Sequence, residues 1–299
     1  MRVRYWGTRG SLPSPSVEED KFYTSIHGGN TSCVEVAVPA GRIIIDAGSG
    51  IARLGNRLTK EYADDQRTRE LNLLLSHTHW DHIQGFPFFK PAYNPLNTIN
   101  IYAQEKDVVE MRRVIPTTEQ ALEHQQKPPY FPVPLKAMRG DLNFKDVKPG
   151  DVFEVGGVIV RTAALNHPDG YIGFRLEHGG RVATYTSDNE PNGKESRDNL
   201  LELAHKADLL IQDAQYTPEE YETRKGWGHS TYQQAVDIAI EAGVKRLRLF
   251  HHDPEHDDRT MVGIAQKARD YADEKLRGLR RSLTSLQIEA AREGIVEDI

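Results

Sequence analysis

Apolar positions fall in short bursts through the opening of the chain, alternating with polar ones as a half-buried strand requires. Strand-like patterns occupy residues 2–7, 31–38 and 42–46, and Pro39-Ala40-Gly41 supplies the turn between the last two. This predicts a β meander, which Asp46-Ala47-Gly48-Ser49-Gly50 breaks. A helix over 51–62 follows, then an apolar strand ending at 71–75, a strand over 99–103 and a helix over 104–114. The second half repeats the order: strands at 152–155, 158–165, 172–177 and 181–187, a helix at 196–206, a strand at 208–212, a helix at 230–242, a strand at 245–250, a helix at 259–276 and a strand at 285–290. The tail, 289–299, reads as a terminal strand or a loose end. Neither a low-complexity linker nor a short-period repeat interrupts the pattern, so one domain over 1–299 is expected.

Composition narrows this only slightly. With 299 residues and 38% hydrophobic content the chain can bury one large core, and stacked sheets commonly exceed the usual single-domain length. A formal charge of -6 gives no global support for binding a polyanion, so any such contact must be local. Cys33 is the only cysteine, which excludes an internal disulfide and fits a reducing compartment. The start, Met1 to Trp6, carries no apolar signal region, and apolar runs nowhere reach the roughly 18 residues of a membrane span. A soluble cytoplasmic protein is expected.

Chemistry concentrates in His77-Thr78-His79-Trp80-Asp81-His82, directly after the apolar run. His77 and His79 point the same way if strand geometry persists, whereas Asp81 and His82 follow once the chain has turned, so two ligand pairs face two neighbouring centres. Imidazole and carboxylate donors suit zinc, with manganese or iron as alternatives, and the lack of thiolates favours an open, catalytic site over a closed structural one.

This run resembles the His-x-His-x-Asp-His signature of the metallo-beta-lactamase superfamily of hydrolases, without a departure at any ligand position. The resemblance implies an α/β fold, a four-layer αββα sandwich, which two similar β-rich halves would form. It also implies further ligands in a set order, and the chain offers candidates at strand ends: His167, Asp188, and His251 or His252, with His251 favoured by the position related hydrolases use. One metal would then be held by His77, His79 and His167 and the other by Asp81, His82 and the final His, with Asp188 bridging. Water shared by two divalent ions is acidified toward neutral pH, which makes hydrolysis the implied reaction.

Two later segments are similar to the phosphodiesterase branch, which includes ribonuclease Z and small cyclic-phosphate phosphodiesterases. Asp213-Ala214 resembles the acidic residue and Ala of ribonuclease Z, and His229-Ser230-Thr231 resembles its His-Ser-Thr motif. Carried over, Asp213 orients His229, which contacts the scissile phosphate; Asp81, Asp213 and His229 form the expected catalytic set. Asp stands where the family has the longer Glu, which puts the reach of that pair in question, and Ser230 alternatively serves as a helix cap. Many ribonuclease Z enzymes carry a transfer-RNA-gripping arm between the third His ligand and the bridging Asp, and here only 168–187 lie between. An elongated, proline-rich segment at 104–141 is instead a candidate lid, with Tyr130 and Phe131 as substrate contacts. Arg9 and Asn30 are further candidates for a phosphate oxygen. The expected function is a two-metal hydrolase of a small phosphodiester, foremost a cyclic nucleotide or related nucleotide. The alternatives are RNA processing of the ribonuclease Z type and hydrolysis of a carboxylic ester, lactone or lactam. The sequence names no protein partner and leaves a homodimer open.

Overall fold

The strands of the chain sort into two sheets in a computed structural model that describes residues 1–63, 67–104, 117–278 and 286–299. The first half supplies β1 (Arg2–Gly7), β2 (Cys33–Val38), β3 (Gly41–Ile45), helix α1 (Gly50–Glu61), β4 (Arg69–Leu75), a short α2 (Trp80–Ile83), β5 (Asn97–Ala103), α3 (Thr118–Gln125) and β6 (Asp141–Asp146). The second half supplies β7 (Val152–Val155), β8 (Val158–Leu165), β9 (Tyr171–His178), β10 (Arg181–Thr186), α4 (Lys194–Ala204), β11 (Leu209–Asp213), a short α5 (Pro218–Tyr221), α6 (Tyr232–Ala242), β12 (Arg246–Phe250), α7 (Asp258–Gly278), β13 (Gln287–Ala290) and β14 (Val296–Asp298).

Each sheet has seven strands, in the orders β14-β1-β2-β3-β4-β5-β6 and β13-β12-β11-β10-β9-β8-β7. Both begin as an antiparallel meander and continue as parallel strands: β3, β4, β5 and β6 in one, β10, β11, β12 and β13 in the other. Parallel pairing sends successive strand ends to one edge, and β8, antiparallel to β9, ends on the same side as β10. That edge carries the site.

Apolar residues on alternate positions serve different layers, because both faces of each sheet are covered. Ile43 and Ile45 face the inter-sheet core with Phe174, Tyr185, Ile211 and Phe250, whereas Ile44 packs outward with Ile51 and Leu54 of α1. On the other sheet Leu209 and Ile211 face inward, and Leu210 packs against Val236 and Ala239 of α6 and Met261 of α7. Helices, two sheets and helices therefore form the four layers expected of this chain.

Several boundaries differ from the sequence reading. Ser230 is not the cap of α6: Thr231 is, its Oγ1 accepting from Gln234 N at 3.2 Å while Gln234 Oε1 accepts from Thr231 N at 2.8 Å, and Gly243 closes the helix at φ +70°. The strand β6 and the helix α3 have no counterpart in the sequence pattern, whereas of the two readings of the tail the terminal strand holds, as the three-residue β14. The helix expected over 104–114 lies outside the described residues, as does the start of the strand expected from Ser285. Among the described residues no helix is long and apolar enough to cross a membrane.

Candidate metal centre

The end of β4 is tied to the end of β3, because Asp46 Oδ1 accepts from both Ser76 N (2.8 Å) and Ser76 Oγ (2.9 Å). The chain then runs extended through His79 (φ −61°, ψ 151°), which caps α2, so the six-residue run straddles a strand-to-helix junction. Extended backbone presents His77 and His79, and the first turn of α2 presents Asp81 and His82.

These side chains gather with three from the second half. His79 Nδ1 lies 3.0 Å from His167 Nε2, and Asp188 Oδ2 lies 3.8 Å from His77 Nε2 and 3.7 Å from His167 Nε2. Asp188 Oδ1 lies 3.1 Å from both His82 Nε2 and His251 Nε2, and Asp81 Oδ2 is 3.1 Å from His251 Nε2. One carboxylate thus offers an oxygen to each of two groups: His77, His79 and His167 on one side, Asp81, His82 and His251 on the other. Nitrogens around a tetrahedral zinc sit about 3.3 Å apart given Zn–N bonds of about 2.0–2.1 Å, close to the spacings here.

Outer hydrogen bonds leave the inner nitrogens free to coordinate. The Nδ1 atoms of His77, His82, His167 and His251 donate to Ser76 Oγ (3.1 Å), Asp46 Oδ2 (2.7 Å), Gly228 O (2.9 Å) and Gln215 Oε1 (3.1 Å). Each ring then turns a bare Nε2 inward, and His77 Nε2 is buried without a hydrogen-bond partner. Such outer partners fix tautomer and ring orientation in metal sites. The electrostatics agree. Burial, reinforced by the His82 charge, holds His77 well below the usual imidazole range, and burial takes His167 down to about 4. Burial also opposes charge on His82, yet Asp188, Asp81 and Asp46 together hold its proton well above the usual range. Two neutral imidazoles, His77 and His167, and a proton that three carboxylates hold on His82 mark an excess of buried negative charge that a bound cation would balance in place of that proton. Asp46, Asp188 and His251 sit in the left-handed region at φ +61°, +48° and +61°, where strand ends are bent to aim side chains at one point.

Asp213 and His229 stand beside this centre. Asp213 Oδ2 accepts from His229 Nδ1 at 2.8 Å and its Oδ1 accepts from Ser230 N at 2.8 Å, so the shorter Asp does span the distance. The His229 ring stacks on His251 with centroids 4.9 Å apart. Burial opposes its charge, but Asp213 prevails and lifts it to about 8.

Other expectations need correction. Arg9 is fully buried and directs its guanidinium at the carbonyls of Gly28 (2.8 Å), Asp253 (3.0 Å) and His256, so it braces loops and does not face a phosphate. Asn30 is likewise engaged, with Glu293 at 2.8 Å and Ser49 Oγ at 3.1 Å. His252 points away from the ligand group, its Nε2 donating to Ala291 O at 2.9 Å. Tyr130 is exposed, and Phe131 meets Phe88 edge-on at 5.5 Å, while Gln125 of α3 donates to Ile83 O of α2 at 3.1 Å, which sets their segment beside the helix of Asp81 and His82. Two further residues carry no local signal in the sequence: Asp46, at the strand break, which accepts from His82, and Glu190, which accepts from Gly226 and Gly228. Asp46→Asn keeps the backbone preference but removes the charge behind His82; metal affinity is expected to fall about 10–100-fold, read by chelator competition.

Two donor groups sharing one carboxylate at the strand ends of a four-layer sandwich define a metal-dependent hydrolase with a dinuclear site for divalent ions. Residues 41–252 match the Beta-lactamase superfamily domain, and the chain belongs to that superfamily. Among curated relatives it is similar to the ribonuclease Z of Picrophilus torridus, with 22% identity over 88% of this chain and 89% of that enzyme. The ribonuclease Z of Brevibacillus brevis is 42% identical over 79 residues, a match spanning 26% of this chain and 23% of that enzyme. Among solved structures, the metallo-beta-lactamase fold protein YhfI from Bacillus subtilis superposes with a TM-score of 0.69 at 19% identity, covering 99% of this chain and 98% of that one.

Proposed function

We propose that this protein is a two-metal phosphodiesterase whose substrate is a small phosphodiester, foremost a cyclic nucleotide or related nucleotide. The observation that carries the reading is the Asp213–His229 pair beside the metal centre, at 2.8 Å. His77, His79 and His167 would hold one ion and Asp81, His82 and His251 the other, with Asp188 shared, and the nitrogen-oxygen donor set favours zinc. Such ions, when bound, supply Lewis acidity and a water acidified toward neutral pH. The chain's own residues do the rest. Asp213 holds the Nδ1 proton of His229 and keeps the imidazolium form in use at neutral pH, which leaves the Nε2 proton for a phosphoryl oxygen or the departing alkoxide. A carbonyl substrate would develop one oxyanion and has less need of that second donor.

A small substrate is favoured over a folded RNA by two features. The stretch from His167 to Asp188 is filled by the β9–β10 hairpin, with no arm to grip a large partner, and the formal charge is -6. RNA processing stays the second reading because the matched curated relatives are named ribonuclease Z. Tyr130 and Phe131 are proposed as substrate contacts on a cover formed by 117–141, the rest of the expected lid segment, 105–116, lying outside the described residues.

The test is turnover of bis(p-nitrophenyl) phosphate beside a p-nitrophenyl ester and a chromogenic lactam, with and without chelator. Diester cleavage that chelator abolishes is expected. Ester or lactam cleavage with an inert diester would overturn the reading and move the search to carbonyl compounds.

A further inference from the structure

The chain has three tryptophans, and they divide by position. Trp6, in β1, is partly buried and donates Nε1 to Glu35 Oε2 at 2.8 Å. The other two are open to solvent, Trp80 at 62% and Trp227 at 59%, and both are chain neighbours of residues in the metal centre. Trp80 stands between the ligands His79 and Asp81 as the first residue of α2. Trp227 precedes Gly228, whose carbonyl accepts from the ligand His167, and lies two residues before His229.

The backbone at Trp227 is held unusually firmly for an exposed residue. Glu190, two residues past Asp188 and 1% exposed, accepts from the amide of Gly226 with both oxygens at 3.0 Å and from the amide of Gly228 at 3.1 Å. Tyr221 Oη (2.5 Å) and Asn192 Nδ2 (2.6 Å) complete its shell. Gly226 and Gly228 both take positive φ, +83° and +87°, and a Cβ on Gly228 would meet His167 Nδ1 at 2.3 Å, so the loop lies flush on the ligand. A buried carboxylate therefore fixes the residues on either side of a tryptophan whose own ring is left in water. An exposed ring that size is informative, and a rigid mount reduces the ordering entropy lost when something stacks on it.

The geometry points to Trp227, with Trp80 as its counterpart on the first half of the chain, as aromatic platforms that engage a planar ring carried by the substrate, with Glu190 as the positioning residue for Trp227. Next to a phosphodiester centre that ring is a nucleobase, so the inference rests on the phosphodiesterase reading and adds what the substrate carries beyond its phosphate. Every base offers a π face, so stacking of this kind favours base-bearing substrates over base-free ones with little choice among bases.

The experiment compares a ribonucleoside cyclic phosphate with its base-free methyl riboside cyclic phosphate on metal-loaded protein, followed by phosphorus NMR. Trp227→Ala and Trp80→Ala are each expected to lower the ratio of kcat/KM between the two substrates by about tenfold, the scale of losing one stacked base. Trp227→Phe should recover most of the ratio, and metal content should match the wild type throughout. A ratio unchanged in both alanine variants, with the wild type still cleaving diesters, would overturn the platforms while leaving the phosphodiesterase reading intact. A wild type that cleaves neither diester would overturn both.

Discussion

Asp188→Asn is expected to abolish diester turnover, on the order of a thousandfold or more, and to leave fewer than one ion bound per chain. Its two oxygens face different groups, Oδ1 toward His82 and His251 and Oδ2 toward His77 and His167, so a single substitution withdraws an anionic donor from both. An amide keeps the volume and tolerates the left-handed φ of +48°, so the fold is expected to survive the substitution. Metal analysis and thermal melting of the same sample check this: near-wild-type melting of the chelated proteins with metal lost is the expected pair. A variant that still binds two ions would remove Asp188 from its bridging place.

His229→Ala is the second large effect, with an opposite metal signature. Its ring stacks on His251 but its Nδ1 is committed to Asp213, so both ions should remain while kcat for a diester falls by about a hundredfold, the scale of one positioned acid or oxyanion donor. Asp213→Asn should lower kcat less, because the ring remains but the partner that favours its charged form is weakened. Unchanged turnover in His229→Ala would reduce that residue to the flank of α6.

The contrast between these residues and those that sequence reading missed is one of range. His77 to His82 are legible because the whole constellation lies within one strand-to-helix junction. His167, Asp188 and His251 are legible because each follows an apolar strand, but choosing them as partners drew on the family resemblance. Asp46 and Glu190 act over distances that no local pattern encodes: Asp46 reaches His82, and Glu190 reaches Gly226 and Gly228. Arg9 shows the converse error, since a basic residue in a loop looks available for phosphate until its burial among carbonyls is seen. Of the strands, β6 was hidden by its polar edge character, with charged residues at both ends; a strand in the tail was readable as one of two alternatives, but the pairing of the three-residue β14 with β1 is visible only once the far ends of the chain meet.

The measurement closest to the central claim is a titration of metal-free protein with zinc, following bound metal and cleavage of bis(p-nitrophenyl) phosphate in the same samples. Two ions per chain, with turnover that completes only as the second binds, is the predicted result. Saturation at one ion, or full diester cleavage without any, would contradict a dinuclear phosphodiesterase.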